Sequence, residues 1–251
     1  MPRGEEIKRA VKESYGALAE QSSSLSVINC CEPDGETKTG KLLRYGYSSS
    51  ELKSLPDSVK AMSDGCGNPT GLGMIVEGDT VLDLGSGGGI DVLLASRRVG
   101  QRGRVIGLDM TPAMVERAAA NAEKMRLANV EFKLGEIERI PVPDRSVDVI
   151  ISNCVICLSP DKEAVFREMS RVMRPGGRLA IADEVAVSPF SEVERTDPEK
   201  WCSCTSGAIT EDEYRQALKK ARFEQVYVRQ LRPSSNQTPN VFSAFISAVK
   251  P

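Results

Sequence analysis

Reactive chemistry in this 251-residue chain falls to sulfur, because it contains seven cysteines and no histidine. The missing imidazole removes the commonest general base and the commonest metal ligand. The thiols stand as Cys30 and Cys31 together, Cys66 alone, Cys154 three residues before Cys157, and Cys202 two before Cys204. An odd count in a chain expected among reducing thiols does not describe a secreted disulfide framework. Cys154 follows the apolar run Val147 to Asn153, so an open α/β sheet would present it beyond the carboxyl end of a strand, where such sheets bind ligands. Taken singly, a cysteine there is also an ordinary small buried hydrophobe. Cys154-x-x-Cys157 with Cys202-x-Cys204 also permits a four-thiolate zinc site, although the second spacing is tight for zinc.

A second chemical signal is VLDLGSGGGIDVLLA, Val81 to Ala95, which reads as strand, glycine turn and helix start, with Gly85, Gly87 and Gly89 spaced G-x-G-x-G. Glycines let the backbone approach a ligand without Cβ clashes. Asp109 ends the next apolar run, 24 residues after Gly85, where a carboxylate can accept from both ribose hydroxyls of an adenosine-containing ligand. The compressed glycine spacing and Asp83, two residues before the first glycine, differ from the G-x-G-x-x-G of nicotinamide sites.

The elements that must position these groups can be read from periodicity. Strand candidates are Thr80 to Gly85, Arg104 to Asp109, Val130 to Gly135, Val147 to Asn153, Arg178 to Glu184, Gln225 to Leu231 and Val241 to Lys250. They alternate with helical patterns, which predicts an α/β fold with a mostly parallel sheet. Thr111 with Pro112, and Ser159 with Pro160, are candidate helix starts. The second helix carries the core stripe Val165, Phe166, Met169, Val172 and Met173 and should stop at Pro175-Gly176-Gly177. Residues 1–73 show no strand and one helical segment near Glu5 to Ala19, and are expected to cap a 74–251 domain. That domain contains an irregular 185–210 insertion holding the single tryptophan, Trp201.

The glycine loop resembles motif I of class I S-adenosylmethionine methyltransferases. The stretch ISNCV, LSPDK and VFREMSRVMRPGG resembles the arsenite methyltransferases, as do GCGNP (65–69), VIGLDMT (105–111), NVEFKLGEIE (129–138) and WCSCTSGA (201–208). The GCGNP, SNCV and C-x-x-G-A elements are specific to that family, and the likeness runs from about residue 5 to 249. It implies a Rossmann-like class I S-adenosylmethionine methyltransferase fold of seven strands, the last antiparallel, and S-adenosylmethionine as methyl donor. It carries the cofactor role to Asp83, Gly85, Gly87, Gly89, Asp109, Met110, Glu136, Ile137 and Asn153. It carries the binding of trivalent arsenic to Cys66, Cys154 and Cys204, and a redox role to Cys30 or Cys31. Cys157 stands where the family has a non-thiol residue, and neither it nor Cys202 receives a role.

The implied activity is methylation of arsenite or its thiol conjugates, with a cellular thiol reductant such as glutathione or thioredoxin completing turnover. The rival readings are a small-molecule C- or O-methyltransferase using Asp183 or Glu184 as base, and a zinc- or arsenic-binding protein without turnover. Thirty-three basic against 35 acidic residues, without a run of like charge, exclude the footprint of a nucleic-acid or polybasic membrane binder. No apolar stretch approaches a membrane span or signal segment, so a cytoplasmic monomer is the expectation.

Overall fold

The apolar runs at the centre of the sheet, 80–84, 147–153 and 178–186, become strands because they are covered on both faces, as a parallel sheet requires, while 130–134 and 224–233 lie at its edges and stay half-buried or exposed. The computed structural model describes residues 2–21, 37–72, 74–196, 201–233 and 240–251. Strands β1 (Thr80–Leu84), β2 (Arg104–Asp109), β3 (Val130–Leu134), β4 (Val147–Asn153) and β5 (Met173–Ala186) lie parallel in the order β3-β2-β1-β4-β5. The sheet continues through β8 (Val241–Val249) to β7 (Glu224–Pro233), and β8 is antiparallel to both neighbours. The seven expected strands and the reversed last one are present. An eighth, β6 (Ile209–Thr210), pairs beside β5 and is too short to leave an alternation in the sequence.

The chain leaves β1 towards β2 on one side and β4 on the other, so the crevice lies over the ends of β1 and β4. One face of the sheet buries Leu82, Leu84, Ile150, Phe166 and Met169; the other buries Val81, Val149 and Ile151 with Val92 and Ala95. Each such side chain contributes roughly 1.5–3 kcal/mol. Helix α5 (Ile90–Val99) starts from Gly89, and α6 (Pro112–Lys124) has Pro112 in its first turn as expected. Helix α7 (Lys162–Val172) begins later than the Ser159-Pro160 signal. Asp161 is its cap, accepting from Ala164 N at 2.9 Å, while Ser159 Oγ donates to Glu138 at 2.6 Å. It also ends earlier than Pro175: Met173 already pairs with Val147, and residues 174–177 bulge before Arg178 pairs with Val149. Helix α8 (Glu211–Lys220) opens with a capping box of Thr210 and Glu213.

The amino-terminal region is more helical than its sequence indicates. Besides α1 (Pro2–Gln21) it holds α2 (Lys38–Arg44), α3 (Ser49–Lys53) and α4 (Asp57–Met62). Five to seven residues are too few to display a 3.6-residue period. These helices bury Leu42, Tyr45, Tyr47, Leu52 and Val59 against Ile90, Leu93 and Leu94 of α5, while Ile7 and Val11 of α1 pack among the cysteines. No helix of the described residues is long and apolar enough to cross a membrane.

Candidate active site

Three distant segments meet at the end of β4. The first is the loop around Cys66. Asn153, the last residue of β4, holds it: its Oδ1 accepts from Cys66 N at 3.0 Å and Gly67 N at 3.3 Å, and its Nδ2 donates to Gly67 O at 2.8 Å. Glycine is required on both sides of Cys66 for this approach. A Cβ at Gly65 would stand 2.5 Å from Asn153 Oδ1, and one at Gly67 2.5 Å from the Ala182 Cβ. The Arg232 guanidinium donates to the Cys66 carbonyl and stacks 4.3 Å from the Tyr45 ring centre.

The second segment is the turn after β4. Cys154 has φ of 59°, a left-handed conformation that costs a non-glycine residue about 1–3 kcal/mol. The 3-10 turn Ile156–Leu158 follows it and folds Cys157 back towards Cys154. The third is the Trp201–Ala208 stretch, in which Cys204 is also left-handed, at φ 61°. Gly207 packs against the Cys157 carbonyl and the Trp201 ring, where a Cβ would overlap both. Trp201 Nε1 donates to Arg195 O at 2.8 Å, and Lys162 Nζ lies 5.1 Å from the ring centre. Two strained residues in one cluster mark a place where the surroundings fix the conformation.

Four thiols therefore gather into two overlapping sets, neither of which is the expected trio of Cys66, Cys154 and Cys204. The Sγ atoms of Cys154, Cys157 and Cys204 lie within 4.8 Å of one another, and Cys66 Sγ, Cys154 Sγ and a Glu184 carboxylate oxygen form a second set of the same span. Cys154 is the shared member. Cys202 is in neither set, so the four-thiolate zinc arrangement containing it is not what these residues form. As a thiol, Cys204 Sγ donates to Cys154 O at 3.6 Å. Hydrogen bonds from the Cys154 and Cys157 thiols draw Cys204 down to about 6, making it the thiolate of the cluster. Cys154 is held well above the usual thiol range by those thiol contacts and by burial, Cys157 chiefly by burial, and burial pushes Cys66 up to about 12.

Of the clustered thiols, Cys154 and Cys204 open onto a cavity of about 140 Å³, which Cys66 and Cys157 do not line. Cys154, Cys202 and Cys204 line it together with Gly85 to Gly88 and Asp109, and Lys8, Val11 and Tyr15 of α1 form part of the wall. Asp109 closes the glycine turn, its Oδ2 accepting from Gly87 N and its Oδ1 from Thr111 N, both at 2.9 Å. The residues fit a cationic adenosine ligand. A Cβ at Gly87 would meet nothing, so the backbone there faces open space. Ser86 Oγ is buried beside it without a hydrogen-bond partner. Burial, and then repulsion from Asp91 and Asp109, push Asp83 well above the usual carboxylate range, and burial takes Asp91 up to about 6. A positive charge in the cavity would relieve both.

Among the expected cofactor residues, Asp83, Gly85, Gly87, Asp109, Met110, Ile137 and Asn153 line this cavity. Gly89 does not; it caps α5 at φ 93°. Glu136 does not either, and is bound to Lys8 Nζ at 2.7 Å. Cys30 and Cys31 lie outside the described residues. Three features were not legible in the sequence. Asp91 and Tyr47 form a buried relay, Tyr47 Oη donating to Asp91 at 2.9 Å and Asn153 Nδ2 donating to both. The α1 wall carries no motif. Cys157 joins the cluster, and its C-x-x-C spacing to Cys154 was the available signal.

The methyltransferase-domain family matches residues 75–222 of the chain. The arsenite methyltransferase of Halobacterium salinarum is 42% identical over 233 residues, covering 89% of this chain and 59% of that protein; the human arsenite methyltransferase is 33% identical over 216 residues, covering 82% and 55%. The chain thus spans less than two thirds of these relatives. The crystal structure of an arsenic(III) S-adenosylmethionine methyltransferase from Chlamydomonas reinhardtii superposes with a TM-score of 0.68, at 32% identity, over 80% of this chain and 72% of that one. A likeness of that identity and extent, carried by the same sheet that gathers the thiols, makes this chain a member of the arsenic(III) S-adenosylmethionine methyltransferase family.

Proposed function

We propose that the chain transfers methyl groups from S-adenosylmethionine to trivalent arsenic held by the sulfurs of Cys66, Cys154 and Cys204. The observation that carries this reading is that Cys154 and Cys204 line the same cavity as the glycine turn and Asp109. Trivalent arsenic is soft and takes sulfur ligands in preference to oxygen. Three thiols replace its three hydroxides, and the displaced protons leave with the hydroxides as water. A thiol held up to about 12, as Cys66 is, therefore still loads, because coordination itself expels the proton. When bound, S-adenosylmethionine supplies an electrophilic sulfonium methyl group. The arsenic lone pair is the nucleophile, so no side chain need act as base.

The chain's own contribution is placement. Asn153 fixes the Cys66 loop to β4, the strained turn aims Cys154, and Gly207 seats the Cys204 segment on Cys157. Holding two reactants in line supplies roughly 7–11 kcal/mol of a bimolecular barrier. Transfer leaves arsenic formally pentavalent. Oxidation of two thiols to a disulfide, Cys66 with Cys30 or Cys31, returns the electron pair and restores the trivalent state, and a cellular thiol reductant reopens the disulfide. The organic-substrate alternative finds less support, because Asp183 is buried and occupied by Tyr214 Oη, Cys157 N and Glu184 N and does not line the cavity.

Incubation with arsenite, S-adenosylmethionine and a thiol reductant, followed by speciation of arsenic, tests the proposal. Methylated arsenicals are expected, with one S-adenosylhomocysteine formed per methyl group. Arsenite that remains inorganic while the protein binds S-adenosylmethionine would overturn it.

A further inference from the structure

We infer that Cys157 is a fourth arsenic ligand, which lets the chain hold trivalent arsenic through Cys154, Cys157 and Cys204 without Cys66. This inference rests on the arsenic-binding reading above and goes beyond it, since Cys157 has no part in that ligand set. Cys157 is 1% exposed, and its sulfur lies within 4.8 Å of both Cys154 and Cys204. Three sulfurs on one centre with bonds of about 2.3 Å, the zinc–thiolate length, stand at most about 4 Å apart. This trio, already within 4.8 Å, must draw in by roughly an ångström to close on one atom. Cys66 belongs to the other set, with Cys154 and Glu184, so Cys154 is the pivot of two alternative sites.

The local structure supports the assignment. The left-handed Cys154 reverses the chain at the end of β4, and the 3-10 turn Ile156–Leu158 that follows returns Cys157 to its side. The Cys157 backbone is fixed from both directions: its N donates to the buried Asp183 at 3.1 Å, and its carbonyl abuts Gly207 of the Cys204 segment. Cys157 and Cys204 are thus held together by their backbones whatever the Cys66 loop does. That loop is tied down by Asn153 and Arg232 through separate contacts.

Loading of the alternative trio breaks three As–O bonds and forms three As–S bonds. Three thiol protons leave with three hydroxides as water, and the oxidation state of arsenic is unchanged. The second trio gives Cys66 a way to leave arsenic, for disulfide exchange, while the metalloid stays three-coordinate. An exchange of Cys66 for Cys157 keeps both Cys154 and Cys204 bound, so arsenic moves within the cluster without release.

The test is arsenic X-ray absorption on the unsubstituted chain, on Cys66→Ser and Cys66→Ala, and on Cys66→Ser/Cys157→Ser, each loaded with one equivalent of arsenite. S-adenosylmethionine affinity serves as the check on folding. Both single variants are expected to keep three sulfur scatterers, and the double variant to fall to two with arsenite affinity at least tenfold weaker. Two or fewer sulfurs in the folded Cys66 variants, or a double variant identical to Cys66→Ser, would overturn the inference. An unsubstituted chain that shows no As–S scattering would instead defeat the arsenic-binding reading itself.

Discussion

Cys154 and Cys204 meet with the left-handed backbone of both residues directed into one cluster, and the sharing of protons there decides which sulfur is charged. Cys204, drawn down to about 6 by its two thiol donors, holds the negative charge at neutral pH. A thiolate absorbs near 240 nm, so titration of the arsenic-free chain is expected to show a one-thiolate step centred near pH 6 that disappears in Cys204→Ser. A first step only above pH 8 would contradict the assignment. Serine preserves the size of the side chain but offers a hard oxygen to a soft metalloid. Cys154→Ser is accordingly expected to lower arsenite methylation at least a hundredfold while S-adenosylmethionine affinity stays within about threefold. Both are measured on one preparation, by product speciation and by calorimetry. Retained turnover would remove Cys154 from the ligand set.

At the scale of elements, the site depends on how closely the Cys66 loop can approach β5. The Ala182 Cβ is what a side chain at Gly67 would strike, with Leu231 the next neighbour at 3.4 Å. Gly67→Ala is expected to weaken arsenite binding about tenfold and to lower the melting temperature by a few degrees. Ala182→Gly in the same chain removes the obstructing methyl group and should restore most of the affinity. A double variant no better than Gly67→Ala would show that the loop does not rest on that contact. This approach was invisible in the sequence, which showed GCGNP and the fifth strand but not that Gly67 abuts Ala182. The strands themselves were legible because buried parallel strands are continuous apolar runs, and Asp109 was legible because it ends one of them. Helices α2 to α4 were not, since their stability comes from burying Leu42, Tyr47 and Val59 against α5 rather than from any local period. The C-x-x-C spacing showed Cys157 beside Cys154, but not its meeting with Cys204, which is brought in from beyond β5 by the Gly207 contact that only the folded chain reveals.

Across the whole molecule, the cavity concentrates carboxylates that folding makes harder to ionise, and stability must respond to pH accordingly. Asp91 rises from the ordinary 3.8 to about 6, and Asp83 moves in the same direction. The folded state then binds protons that the unfolded chain has already released, so stability falls as pH rises from about 4 to 6 and levels off above. At about 1.4 kcal/mol per pKa unit, the Asp91 contribution is on the order of 3 kcal/mol. The surface carboxylates Glu51, held low chiefly by hydrogen bonds from Ser48 and then by Arg98, and Glu131 and Glu168, held low chiefly by Arg104 and Arg171, act in the opposite sense but below pH 4.5, at the foot of this window. Asp183, raised to about 7 by burial, continues the decline above pH 6, but there Cys204, drawn down to about 6, has released a proton that the unfolded chain still holds and acts in the opposite sense. Chemical denaturation of the ligand-free chain should therefore show stability decreasing between pH 5 and 6 and flattening above, with a shallower slope in Asp91→Asn. A ligand bearing a positive sulfonium offsets the buried negative charge, whereas S-adenosylhomocysteine has a neutral sulfur. At equal saturation, S-adenosylmethionine is expected to flatten the profile more than S-adenosylhomocysteine does, and the difference should shrink in Asp91→Asn. Identical profiles for the two ligands would mean that these carboxylates do not sense the sulfonium, and that the cavity recognises the donor through its adenosine alone.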